Sequence, residues 1–276
     1  MKKYIITSIR SFWLTLLFVV LWLVVMVALI AVAEIGVSDG PEPVWRRLGY
    51  EAGPFVAVLM ATMVMLWRFD KRTGWPQLAS KFHWRRDAVI GFSVGTVWLL
   101  AAVGAAALFG GLQFEEMSTV PLLAFWAIAA TMNVAMQEYL VRGYIFNMLM
   151  RRHSVAAATI VTTVLFVAMH GFQGGLIGIA NVVVASLIFT ILLVRTGAMI
   201  TPIIAHVAWN IIGGILLGAI SLGGVYPQVL RAVHDGPGIL TGGDMGIEGS
   251  ILTLIVSCVT LTILWIFLPR KNKSSK

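Results

Sequence analysis

The strongest constraint on this chain is its set of long apolar runs. Residues 12–33 contain no charged side chain, and about 20 such residues in a helix span the hydrocarbon of a bilayer. Water is absent there, so each run must satisfy its own backbone amides and carbonyls, which a helix does. Comparable runs follow at about 53–67, 88–108, 121–150, 154–170, 176–194, 198–217 and 250–268. The pattern predicts an all-α, polytopic transmembrane helical bundle of about eight spans. Composition agrees: 12% of residues are charged, against about 25% in soluble domains.

Three stretches organise the chain. Residues 1–118 hold the first three helices and their loops. Residues 119–217 hold helices four to seven and most of the polar residues within spans. Residues 218–276 hold a long Gly-rich connection, the last helix and a basic tail. The start, Lys2-Lys3 before an apolar run of more than 20 residues, reads as a retained helix, because the run is longer than the apolar region of a signal peptide. The formal charge of +8 comes from residues scattered through short loops and both termini, with six Lys or Arg in 68–87. That is how the cytoplasmic ends of membrane helices look, and it predicts both termini inside. It argues against a nucleic-acid partner. The expected setting is an integral protein of a bacterial cytoplasmic membrane, with the lipid bilayer as its surroundings. Cys258 is the single cysteine, which leaves no disulfide and no cysteine-based metal site.

Glu138 is the acid that lies well inside an apolar run, and Arg142 follows one helical turn later, where the two can pair. A carboxylate at that depth is expensive unless it has a partner or a task. Counting from the basic turns at 1.5 Å per residue puts Glu138 roughly 20 Å in, His170 roughly 25 Å, His206 about 16 Å and Asn210 about 22 Å. The hydrocarbon is about 30 Å thick, so a carboxylate, two imidazoles and an amide reach similar depth and enclose a polar intramembrane cavity if their helices are neighbours. Such a set suits water activation: the carboxylate takes a proton, the imidazoles bind a divalent metal or donate to an oxyanion, and the amide polarises a carbonyl. The plainer reading is that these groups hold the bundle together by interhelical hydrogen bonds. No His-Glu-x-x-His or phosphate-cradling Gly loop is present. A transporter would show paired repeats or broken helices in corresponding halves, and neither is found.

The ordered set Gln137-Glu138-x-x-x-Arg142-Gly143, Phe166-x-x-x-His170 and His206-x-x-x-Asn210 resembles the three-motif signature of the CAAX-processing and bacteriocin-immunity (CPBP) family of intramembrane proteases. The resemblance covers about residues 120–215 in detail. It implies an intramembrane endopeptidase that cleaves a peptide or protein substrate entering from the membrane, by means of an activated water. The catalytic set it implies is Gln137, Glu138, Arg142, His170, His206 and Asn210. If a divalent metal such as Zn2+ is used, its ligands would be His170, His206 and Glu138. The family signature has Glu where this chain has Gln137, and an amide cannot act as a base near neutral pH. Three readings follow. Glu138 serves as the base through a local helix distortion, the chain is a degenerate member that binds peptides in an immunity or scaffold role, or the residue is an engineered substitution.

Smaller signals complete the expectations. The glycines at 171, 174, 175 and 178 read as close helix packing. Trp45-Arg46-Arg47 and Trp84-Arg85-Arg86 read as interfacial anchors. His83, His153 and His234 read as solvated. The 218–249 connection is long enough to be ordered against the domain, with Glu248 capping the last helix.

Overall fold

The computed structural model describes residues 2–34, 44–71, 73–79, 83–171 and 174–269. Asp39-Gly40-Pro41, the tail 270–276, and Arg72 and Lys81 of the basic loop lie outside the described residues. The fold is all-α and of membrane type. Four helical stretches are long and apolar enough to cross a bilayer: Tyr4–Val32, Val44–Phe69, Trp84–Phe109 and Gly175–Thr196. Shorter apolar helices cover Val155–Met169, Ile200–Leu216 and Ile251–Phe267.

Contacts group the chain into two units, each discontinuous in sequence: Met1–Pro76 with Ala124–Thr162, and Gln77–Leu123 with Thr163–Lys276. The first unit contains α1 (Lys2–Glu34), α2 (Val44–Val64), α4 (Leu123–Glu138) and α5 (Phe146–Arg152). Small residues on α2, Ala57 and Ala61, are fully buried. Trp22 of α1 donates its indole N–H to the Pro54 carbonyl of α2, and Phe18 packs on Tyr144 at 5.0 Å. The second helix begins well before residue 53. The Trp45-Arg46-Arg47 anchor is itself helical, because Arg46 reaches the Tyr50 hydroxyl and Arg47 pairs with Glu51, each one turn on. The stretch 121–150 is one helical run interrupted by a π-helical turn, Tyr139–Ile145, between α4 and α5.

The second unit contains α3 (Trp84–Phe109), α7 (Gly175–Thr196), α8 (Ile200–Asn210) and α10 (Ile251–Phe267). The boundary between the units falls within α6 (Val155–Met169). Gly91 and Gly95 of α3 lie so close to α8 that a Cβ at either would overlap the carbonyl oxygens of Thr201 and Ala205. This is the small-xxx-small contact that lets two backbones meet. The 171–178 glycines do something else: Gly171, Gly174 and Gly175 hold positive φ at the turn between α6 and α7.

The 111–120 connection holds strand β1 (Leu112–Met117), antiparallel to β2 (Leu230–His234), with a register break between Phe114 and Met117, where Glu115 and Glu116 lie. The partner strand is far away in sequence, so no local hairpin pattern announced it. The 218–249 connection is ordered, as its length suggested. It contains β2, the short α9 (Gly238–Thr241) and 3₁₀ turns at Leu222–Gly224, Gly243–Met245 and Ile247–Gly249. Of the three histidines read as solvated, His83 is exposed. His153 is half-buried against the Ser11 hydroxyl at 2.9 Å, and His234 is half-buried in β2.

Candidate functional site

The first motif lies in the first unit. Glu138 is the last residue of α4, and Arg142 sits in the π-helical turn that follows. Both are fully buried, and Arg142 Nη1 donates to both oxygens of Glu138 at 2.9 Å. A buried pair of this kind is costly to desolvate and far costlier to break. Both carboxylate oxygens of Glu138 are thus engaged by its partner, which fits a positioning role for the pair. The π turn is a helix distortion of the sort found at functional sites.

Gln137 belongs to a second chain of polar groups. Arg47 pairs with Glu51 at 2.9 Å. Asn133 Nδ2 donates to the other Glu51 oxygen at 2.8 Å. Gln137 Nε2 then donates to Asn133 Oδ1 at 2.6 Å. The order is forced. The carboxylate only accepts, so Asn133 must turn its amine to Glu51 and its oxygen to residue 137. The network therefore requires a donor at 137, which an ionised Glu lacks. Sequence reading singled out Glu138 as the deep acid, but Glu51, Asp70 and Asp87 are buried as well. Asp70 is held by Arg152 at 2.7 Å and by Thr73. The spacing Arg47-x-x-x-Glu51 was the available signal for Glu51.

The other two motifs meet inside the second unit. His170 follows the last residue of α6, where the helix tightens into i−3 bonds at His170 and Gly171. Its ring folds back, and Nδ1 donates to the Phe166 carbonyl oxygen at 2.7 Å. That bond satisfies a carbonyl the helix end would otherwise leave open, and it leaves Nε2 as the remaining ring nitrogen. His206 is 5% exposed on α8. It stacks on Phe189 at 4.7 Å and meets Phe166 edge-on at 5.9 Å. The N-terminus of α8 is fixed because Met199 and Ile200 donate their backbone N–H groups to the carbonyls of Gln77 and Leu78.

His170 and His206 line one cavity of about 40 Å³, walled by Trp98, Phe166, Phe189 and Trp209. A water needs about 10–15 Å³ on this measure, so the space admits a few waters. Asn210 is buried one turn beyond His206 but is not among the lining residues.

Asn181 and Glu248, both lining residues, were given no role in this site by sequence. Asn181 of α7 donates twice through Nδ2, to the carbonyls of Glu248 and Ser250, both at 2.9 Å. Its Oδ1 is buried without a hydrogen-bond partner among the described residues. Glu248 does not cap the last helix. Ser250 does, accepting from the Leu252 N–H. A cap needs its side chain beside the first turn, and the Glu248 side chain points instead to Trp209, whose indole N–H donates to Oε1 at 2.9 Å. Glu248 lies in a 3₁₀ turn of the connection, outside the spans, and borders the cavity. Burial pushes its carboxyl up to about 7, against the opposing pull of the Trp209 bond.

Among the described residues, no three His, Cys, Asp or Glu side chains gather closely enough to hold a metal ion. The chemistry below is derived from protein groups and water.

Residues 117–212 match the model of the family described as type II CAAX prenyl endopeptidase Rce1-like. The matched stretch includes every residue of the three motifs. No curated protein matches the chain.

Proposed function

We propose that this integral membrane protein, whose residues 117–212 match the Rce1-like type II CAAX prenyl endopeptidase model, is an endopeptidase that hydrolyses a peptide bond with an activated water. The observation that carries the reading is the shared cavity of His170 and His206, two motif imidazoles in an aromatic cage with room for water. A water held there attacks the carbonyl carbon of a bound peptide. The imidazole of His206 is the group suited to donate to the oxyanion as it forms, a term worth several kcal/mol in a water-poor site, while His170, its Nδ1–H held by Phe166, presents Nε2 as an acceptor for the water. The Glu138–Arg142 pair positions the helix that bears the first motif, and Asn210 lies one turn beyond His206 on the same helix. The substrate is a peptide or protein drawn from the bilayer, and both termini of the chain are cytoplasmic.

A second reading has its own support. Gln137 is locked as a donor by Asn133, and a family member without a carboxylate at that position is suited to hold a peptide without cutting it. Cleavage of a broad fluorogenic peptide library in vesicles by the native form, Gln137→Glu, Glu138→Gln and His206→Ala separates the two. Cleavage by the native form that His206→Ala abolishes supports the peptidase. An inert native form with an active Gln137→Glu supports the binder. No cleavage by any form counts against the protease reading.

A further inference from the structure

The peptidase reading leaves one part unfilled: residue 137 is an amide, and Glu138 is tied to Arg142 through both oxygens. The cavity that holds His170 and His206 nevertheless contains a carboxylate that no motif supplies. We infer that Glu248 is the general base of this site, and that the connection between α8 and α10 delivers it.

The carboxylate is built into place from three sides. Asn181 of α7 grips the backbone at Glu248 and Ser250 through one amide nitrogen. Trp209 of α8, three residues past His206, fixes Oε1. Ser250 locks the turn to the start of α10 and donates its hydroxyl to the Leu240 carbonyl at 2.6 Å. Upstream, Ile247 donates its backbone N–H to the Ala219 carbonyl. A glutamate kept only for solubility has no need of such anchoring. Glu248 also keeps part of its surface accessible, as a base in contact with cavity water must.

The step rests on the peptidase reading and balances as follows. Glu248 takes one proton from a cavity water while the water oxygen bonds to the peptide carbonyl carbon. The tetrahedral oxyanion accepts a hydrogen bond from the His206 imidazole. As the C–N bond breaks, the proton on Glu248 passes to the leaving amine nitrogen. The products are a carboxylic acid and an amine, and the carboxylate is regenerated. Two other titratable groups line the cavity, His170 and His206. Asp244 lies on the neighbouring 3₁₀ turn. The lining residues of α3, α7 and α10 include Trp98, Asn181, Thr253 and Ser257, none of which ionises near neutrality.

The test compares native protein, Glu248→Gln, Glu248→Asp and His206→Ala on fluorogenic peptides in phosphatidylethanolamine–phosphatidylglycerol vesicles, with melting temperatures measured in parallel. Glu248→Gln still accepts from Trp209, so the fold is retained. Its kcat/KM is expected to fall by about 100-fold or more, the usual contribution of a general base. The native profile should rise with pH through about 7, and this limb should vanish in the Gln variant. Glu248→Asp should keep the limb and a fraction of the rate. A Gln variant with the native rate and profile, while His206→Ala is inert, overturns the base role and leaves the peptidase standing. Equal loss in the Gln and Asp variants with the limb unmoved also overturns it. No cleavage by native protein or any variant overturns the peptidase reading and the base role together.

Discussion

Replacing Gln137 by Glu should destabilise the first unit in a pH-dependent way. The donor order Arg47, Glu51, Asn133, Gln137 is set at one end by a guanidinium and at the other by the Gln137 amine. An ionised carboxyl at 137 offers no hydrogen to Asn133 Oδ1, leaving a buried acceptor unpaired at a cost of about 1–3 kcal/mol. The Asn133 amide cannot simply flip, because its oxygen would then face the Glu51 carboxylate. A protonated carboxyl can donate in place of the lost amine, so the penalty should be small at about pH 4.5 and full at about pH 8. On the usual scaling of about 2–4 °C per kcal/mol, melting in detergent should drop by several degrees at pH 8 and by little in acid. A double-mutant cycle sharpens the test. In a Glu51→Gln background Asn133 is free to turn round, and the cost of Gln137→Glu should shrink by about 1 kcal/mol, the coupling expected of residues in one network. A Gln137→Glu form that melts with the native protein at pH 8, or whose loss is additive with Glu51→Gln, refutes the argument.

Three further outcomes follow from the geometry. Arg142→Met should cost about 3–5 kcal/mol, since it strands a fully buried carboxylate, and Arg142→Met with Glu138→Leu should recover much of that, as read by thermal melting. Gly95→Ala should destabilise by about 1–3 kcal/mol, because its methyl overlaps the Ala205 carbonyl and forces α3 from α8; Gly104→Ala, with open space at its Cβ, serves as the silent control. Asn181→Ala removes two hydrogen bonds to the 248–250 turn and should raise hydrogen exchange there before it changes global melting.

Helical spacing made the motif pairs legible. Residues four apart share a face, so the pairings of Glu138 with Arg142 and of Phe166 with His170 are legible in the sequence. Apolar run length gave the all-α membrane fold in the same way. The missed features depend on partners distant in sequence. Glu51 and Asn133 are 82 residues apart, Asn181 and the Glu248 carbonyl 67, and Trp98 and Ser257 159. β1 finds its partner across more than a hundred residues and carries too little alternation to declare itself. The π turns at Tyr139–Ile145 and Ile211–Leu216 were equally silent, since one inserted residue leaves the apolar pattern of a buried helix unchanged.

The backbone contact of Gly91 and Gly95 with α8 has a consequence for how this cavity can diversify. Where main chain rests on main chain, no side-chain volume is left to trim or enlarge, so that wall is incompressible and the helix carrying His206 has a fixed datum. Changes of ligand shape must therefore be absorbed elsewhere, by Val182 and Ala185 of α7 or Thr253 and Ser257 of α10, small residues that also line the cavity. Enlarging or trimming those four positions is the route by which selection, or an engineer, can retune the pocket without disturbing the imidazole that works in it.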